Sequence, residues 1–112
     1  MKLSQLKQSV YLAATEQQRD HGGFANKDGT FSSVPYQIIT HLYSSPIEYN
    51  ELKRLSYAGV TSPRAQKDPY HPDFAKAFRG YISDLNDILH RLGSYQIINR
   101  KALSGARFFI LE

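Results

Sequence analysis

Residues 72–111 read PDFAKAFRGYISDLNDILHRLGSYQIINRKALSGARFFIL. Phe74, Phe78, Ile82, Leu85, Leu89 and Leu92 recur at spacings of three and four, with Tyr81 and Ile88 beside them. That spacing predicts one amphipathic helix over 73–92. Pro72 and Asp73 suit its first turn, and Gly93 suits the position just past its end. Gly80 falls inside the pattern, where it costs about 1 kcal/mol against Ala. It either admits a neighbouring backbone or is an ordinary weak spot. Two apolar runs follow, Tyr95–Arg100 and Arg107–Leu111, with Ser104-Gly105 in the connection. They predict a β-hairpin that covers the core beside the long helix.

Upstream, Leu3, Leu6, Val10 and Ala13 or Ala14 form a narrow apolar stripe and predict a helix over 2–19. It either packs across the domain or meets the same helix of a second copy. Asp20 to Gly23 end it. Residues 22–33 are expected to be a loop or small hairpin turning at Asp28-Gly29. Asn26–Thr30 looks superficially like the middle of a calcium loop, but the register would put Phe24 first and Pro35 twelfth, and neither side chain can ligate calcium. A short helix is expected over 34–43, capped by Ser32 or Ser33, with Ile38, Ile39, Leu42 and Tyr43 on its apolar face. Ser45 and Glu48 have the spacing of a capping box and Pro46 suits a first helical position, so the next helix is placed from there to about Tyr57. Residues 59–72 hold three prolines and read as a loop.

The chain has 112 residues, which favours one domain, with 1–33 as an extension and 34–112 as its core. Lys and Arg outnumber Asp and Glu by 14 to 10, a net charge of +4, which inclines toward anionic partners. The absence of cysteine excludes disulfides, thiolate zinc sites and cysteine nucleophiles. The first residues carry no apolar run long enough for a signal peptide or a membrane span, so a cytoplasmic protein with no membrane partner is expected.

From Val34 onward the order is helix, helix, long helix, hairpin. In element order and amphipathic phase this resembles the winged helix-turn-helix superfamily: an α+β fold, mainly helical, here with an extra N-terminal helix and a C-terminal hairpin wing. The resemblance implies that the helix 73–92 enters the major groove of double-stranded DNA and that the hairpin touches the backbone or minor groove. The 59–72 loop is longer than the family's compact turn.

Charge placement bears on that implication. A recognition helix uses mainly its N-terminal residues on base edges. Lys76, Arg79 and Ser83 are therefore the first base-contact candidates, followed by Asn86. Asp84 and Asp87 would repel phosphate and turn the later half of the helix away. Arg100, Lys101 and Arg107 around the hairpin turn, and Arg64 and Lys67 in the preceding loop, are candidate phosphate contacts. The plainer reading of each cation alone is a surface residue that aids solubility. Their clustering in loop, helix start and wing tip favours binding.

Other chemistry finds less support. His21, His41, His71 and His90 fall in no metal-binding spacing, and no phosphate-binding glycine loop is present. The tyrosines read as core-edge residues before they read as stacking platforms for single strands. The expectation is a small transcriptional regulator that binds double-stranded DNA, with no cofactor, metal or catalytic residue, dimerising through its N-terminal helix. The alternative is a winged-helix module that binds a protein partner and no nucleic acid. A third reading is binding of RNA or single strands.

Overall fold

In the computed structural model, residues 2–26, 29–58 and 72–112 are described. Among them the elements follow in the order α1 (Leu3–Ala13), α2 (Glu16–His21), α3 (Val34–Leu42), β1 (Ile47–Glu48), α4 (Tyr49–Tyr57), α5 (Pro72–Leu92), β2 (Ile97–Lys101) and β3 (Arg107–Leu111). The fold is α+β and mainly helical, with a three-stranded antiparallel sheet in the order β1-β3-β2.

The pattern at 73–92 forms α5 as expected. Phe78, Leu85, Ile88 and Leu89 are buried, and Tyr81, Ile82 and Leu92 pack against the same core. Gly93 stops the helix at φ 70°, a left-handed conformation that costs glycine nothing. Its N–H reaches the carbonyls of Leu89 and His90 at 3.0 and 3.1 Å. A Cβ on Gly80 would meet nothing within 4 Å. No neighbouring backbone among the described residues therefore requires that glycine.

The hairpin also forms, and β3 is its inner strand. Ile97 pairs with Leu111, Asn99 with Phe109 and Lys101 with Arg107. On the other side of β3, Ile47 pairs with Phe109 and Glu48 with Phe108. Strand alternation puts Ile47, Ile97 and Phe109 on the core face. There Phe109 meets Tyr49 at 5.6 Å and Phe78 at 6.3 Å between ring centroids, and Tyr49 meets Phe78 at 5.5 Å. This triad joins the start of α4, the first half of α5 and the sheet.

Three local expectations change. The helix expected over 2–19 breaks at Ala14, because Thr15 and Gln18 form a capping box that starts α2. The Ser45–Glu48 box does not form. Residues 47–48 are drawn into the sheet by β3, and Glu48 instead caps α4 by accepting from the Glu51 N–H at 2.9 Å. Tyr43, placed on the apolar face of its helix, is exposed just past the end of α3. The expectations for Asp28 in the turn at 28–29, for the Gly59 stop, for the 59–71 part of the proline-containing loop, and for the Phe74 side chain lie outside the described residues.

The stripe of α1 is buried inside the chain. Leu6 and Val10 are fully covered, and Leu3, Tyr11 and Ala13 pack against the core, next to α5 and α3. The large apolar residue left outside on this helix is Leu12. A second aromatic group lies beneath α1. Phe31 sits between Tyr11 at 5.6 Å and Tyr36 at 5.2 Å. The buried Tyr36 hydroxyl donates to the Phe24 carbonyl at 2.6 Å, and burial raises its ionisation well above the usual phenol value.

Candidate nucleic-acid interface

Because α5 buries the face of Phe78, Leu85 and Leu89, its outward face over the first turns carries Lys76, Ala77, Arg79, Gly80 and Ser83, all exposed. Lys76 and Arg79 are in no ion pair among the described residues. The exposed side chains beside the two cations, Ala77, Gly80 and Ser83, are small.

The acidic residues behave differently. Asp87 shares a stripe with Lys76 but lies about 16 Å along the helix, at 1.5 Å per residue. Its carboxylate pairs with Arg91 at 2.5 Å and accepts from the Gln18 amide at 3.4 Å. Arg91 also donates to the Ala13 carbonyl at 3.0 Å and to Gln18 Oε1 at 2.9 Å. It thereby satisfies a carbonyl left over at the end of α1. Asp84 is half-buried in a hollow shared with Thr15, Gln18 and His21. Asp87 thus serves the α1–α2 junction and is largely offset by its partner.

Asn86 has a structural task. Its Nδ2 donates to the Ile97 carbonyl at 3.0 Å, and its Oδ1 accepts from the Ile97 N–H at 2.7 Å. One N–H and the carbonyl oxygen of the amide are engaged in fixing β2 to α5, which turns this side chain toward the sheet.

The hairpin runs antiparallel to α5. It begins beside Asn86, and its Asn99↔Phe109 pair lies by Phe78. Lys101 and Arg107 come two residues further on, toward the end of α5 that carries Lys76 and Arg79. They stand directly opposite each other and both are exposed. Like charges in that position destabilise a sheet, so the pair brings the hairpin no benefit of its own. Arg100 points elsewhere. Its guanidinium lies 3.5 Å from the Glu112 carboxylate, which requires the side chain to run back along the outer face of the sheet. Arg64 and Lys67 lie outside the described residues.

Two basic residues that periodicity does not single out have particular settings. Lys53 is buried, with its ammonium 5.4 Å from the centre of the Tyr49 ring. Only its i, i+4 spacing from Tyr49 hints at this in the sequence. His41 is held below the ordinary imidazole value, first by burial and then by the charge of Lys7 on α1. The described residues contain no group of three or more His, Cys, Asp or Glu able to hold a metal. They also contain no helix long and apolar enough to cross a membrane. Tyr36 and Tyr57 are buried and Tyr49, Tyr81 and Tyr95 pack on the core, so these rings are used inside the fold. Comparison with known protein families, characterised proteins and solved structures found no match to this chain.

Proposed function

We propose that this protein binds double-stranded DNA as a winged helix-turn-helix domain, with α5 as the recognition helix and the β2–β3 hairpin as the wing, and that it regulates transcription. The observation that carries the reading is the end of the molecule where exposed Lys76 and Arg79 stand beside Ala77, Gly80 and Ser83 on α5 and the hairpin carries exposed Lys101 and Arg107. Four cations with no ion-pair partner among the described residues are carried there, two on the outward face of the first turns of α5 beside small side chains and two on the hairpin that packs against the helix's inner face. The outward face suits a groove, and the cations suit the phosphates on either side. The offset of Asp87 by Arg91 reduces the repulsion expected from the later half of α5. Lys76, Arg79 and Ser83 are the proposed base contacts, and Lys101 and Arg107 the proposed phosphate contacts. Arg100 joins the phosphate contacts only by releasing Glu112. A homodimer through the N-terminal helix would have to form on the face that carries Leu12.

Gel shift and fluorescence anisotropy with duplexes enriched from a random library test this. Lys101→Ala with Arg107→Ala should weaken every duplex alike and lower the slope of log K against log salt by about 2. Lys76→Ala with Arg79→Ala should remove the preference for the enriched sequence. Unchanged preference in that variant sinks the recognition-helix assignment. The outer face of the sheet favours a second reading, a module that binds a protein. By strand alternation Ile98, Phe108 and Ile110 lie there, half-exposed, away from the core. Absence of duplex binding by micromolar protein at low salt selects that reading over the first.

A further inference from the structure

We infer that Leu103, at the tip of the hairpin, is an apolar wedge that enters the minor groove of duplex DNA, parts a base step and bends the DNA. This rests on the DNA-binding reading above. Leu103 has a relative exposure of 110 %, against 65 % for Leu12 and 38 % for Tyr43, the other exposed large apolar residues described. An apolar side chain that extended gains nothing from its own fold. The backbone turn that carries it is held by hydrogen bonds on either side. The Gly105 N–H donates to the Ala102 carbonyl at 2.9 Å, and the Ala102 N–H to the Ala106 carbonyl at 2.8 Å. Gly105 takes φ 89°, which lets the turn close.

Around Leu103 the tip is narrow, with Ala102, Ser104, Gly105 and Ala106 as its neighbours. Immediately behind come Lys101 and Arg107, opposed across the strands. A thin loop with one apolar point and a cation on each side matches the minor groove, which is about 6 Å wide and lined on both edges by phosphates. Insertion of Leu and similar side chains at base steps is a general means of kinking DNA, and the cations would hold the backbones while the step opens. Flexible pyrimidine–purine steps yield most easily to it. A lipid surface is the less favoured target, because one leucine and two cations fall short of what stable attachment takes. The cations of α5 at the same end of the molecule also extend the match to a nucleic-acid duplex.

The test uses the whole protein with duplexes enriched from a random library and carrying a donor and an acceptor dye at their ends. Binding is expected to raise energy transfer, reporting a bend. Leu103→Ala should still bind, with affinity lower by about tenfold, and leave the duplex straight. Leu103→Met should keep the bend. Because the side chain is fully exposed, both variants should fold, and circular dichroism checks that they do. An alanine variant that bends DNA as the parent does overturns the wedge and leaves DNA binding standing. Failure of the parent to bind any duplex at low salt overturns DNA binding and the wedge with it. Leu103-dependent co-sedimentation with phosphatidylcholine–phosphatidylserine vesicles, without duplex binding, overturns both in favour of a lipid target.

Discussion

Replacing Asn86 with Ala removes both hydrogen bonds that tie the first residue of β2 to α5. The bonds are 3.0 and 2.7 Å long, and Ile97 is only 5 % exposed, so water does not readily replace the lost amide. Each bond contributes about 0.5–1.5 kcal/mol, which makes the expected loss about 1–3 kcal/mol. For a chain of this length each kcal/mol moves Tm by about 4 °C, so thermal unfolding followed by circular dichroism should show a fall of roughly 4–12 °C. Asn86→Asp adds a pH signature. A carboxylate can accept from the Ile97 N–H, but it faces the Ile97 carbonyl with a second acceptor. The protonated acid supplies the missing donor. Its folded-state pKa is therefore raised above the ordinary Asp value of about 3.9. The added stability is fully present below that ordinary value and is lost as pH rises through the raised one. Relative to the parent at each pH, the Asp variant should be weakest near neutrality and should recover in acid. An Ala variant that melts with the parent, or an Asp deficit that does not change with pH, would refute this account of Asn86.

Gly80→Ala should raise Tm by about 4 °C, since it relieves about 1 kcal/mol of helix cost and the added methyl meets nothing. The same variant should bind duplex more weakly if α5 lies close in a groove; undiminished binding would remove the close approach. His41 should titrate below its usual value, because burial and the Lys7 charge both disfavour the imidazolium. Its folded pKa is the lower one, so the unfolded chain takes up the proton first and stability is lost as pH falls through about 6.5. Lys7→Gln should move the His41 midpoint upward when the imidazole protons are followed by NMR, and an unmoved midpoint would refute the coupling.

Features encoded in contiguous residues are legible in the chain. The phase of Phe78, Leu85 and Leu89 gives α5 and, by difference, the exposure of Lys76 and Arg79. The glycine at 93 and the Ser104-Gly105 connection give the end of the helix and the hairpin. The break at Ala14 is also local, carried by the Thr15–Gln18 box, but an apolar spacing that runs on to Ala14 hides it from a reading by periodicity. β1 is different in kind. It has two residues, and its backbone partners are Phe108 and Phe109 at the far end of the sequence. Nearby signals at Ser45 and Pro46 favour a helix start, and tertiary pairing overrides them. The site divides in the same way. Arg100, Lys101 and Arg107 are alike in the sequence, and only the strand register and the reach to Glu112 separate the first from the other two. Asn86 looks like a base-reading residue until Ile97 is brought beside it. Arg91 has no visible task until the end of α1 lies within reach.

The two-residue strand also governs the order in which the molecule can assemble. Its partner lies about 60 positions away, so closing that contact takes a large loss of chain entropy before any packing rewards it. The contact between α3 and α4 spans far less chain and can form early. Two backbone pairs alone could not hold such a closure, and the Tyr49–Phe78–Phe109 triad must arrive with it. By that reasoning the local β2–β3 hairpin can form early, and its docking onto β1 comes late, as the step that commits the helices to one arrangement.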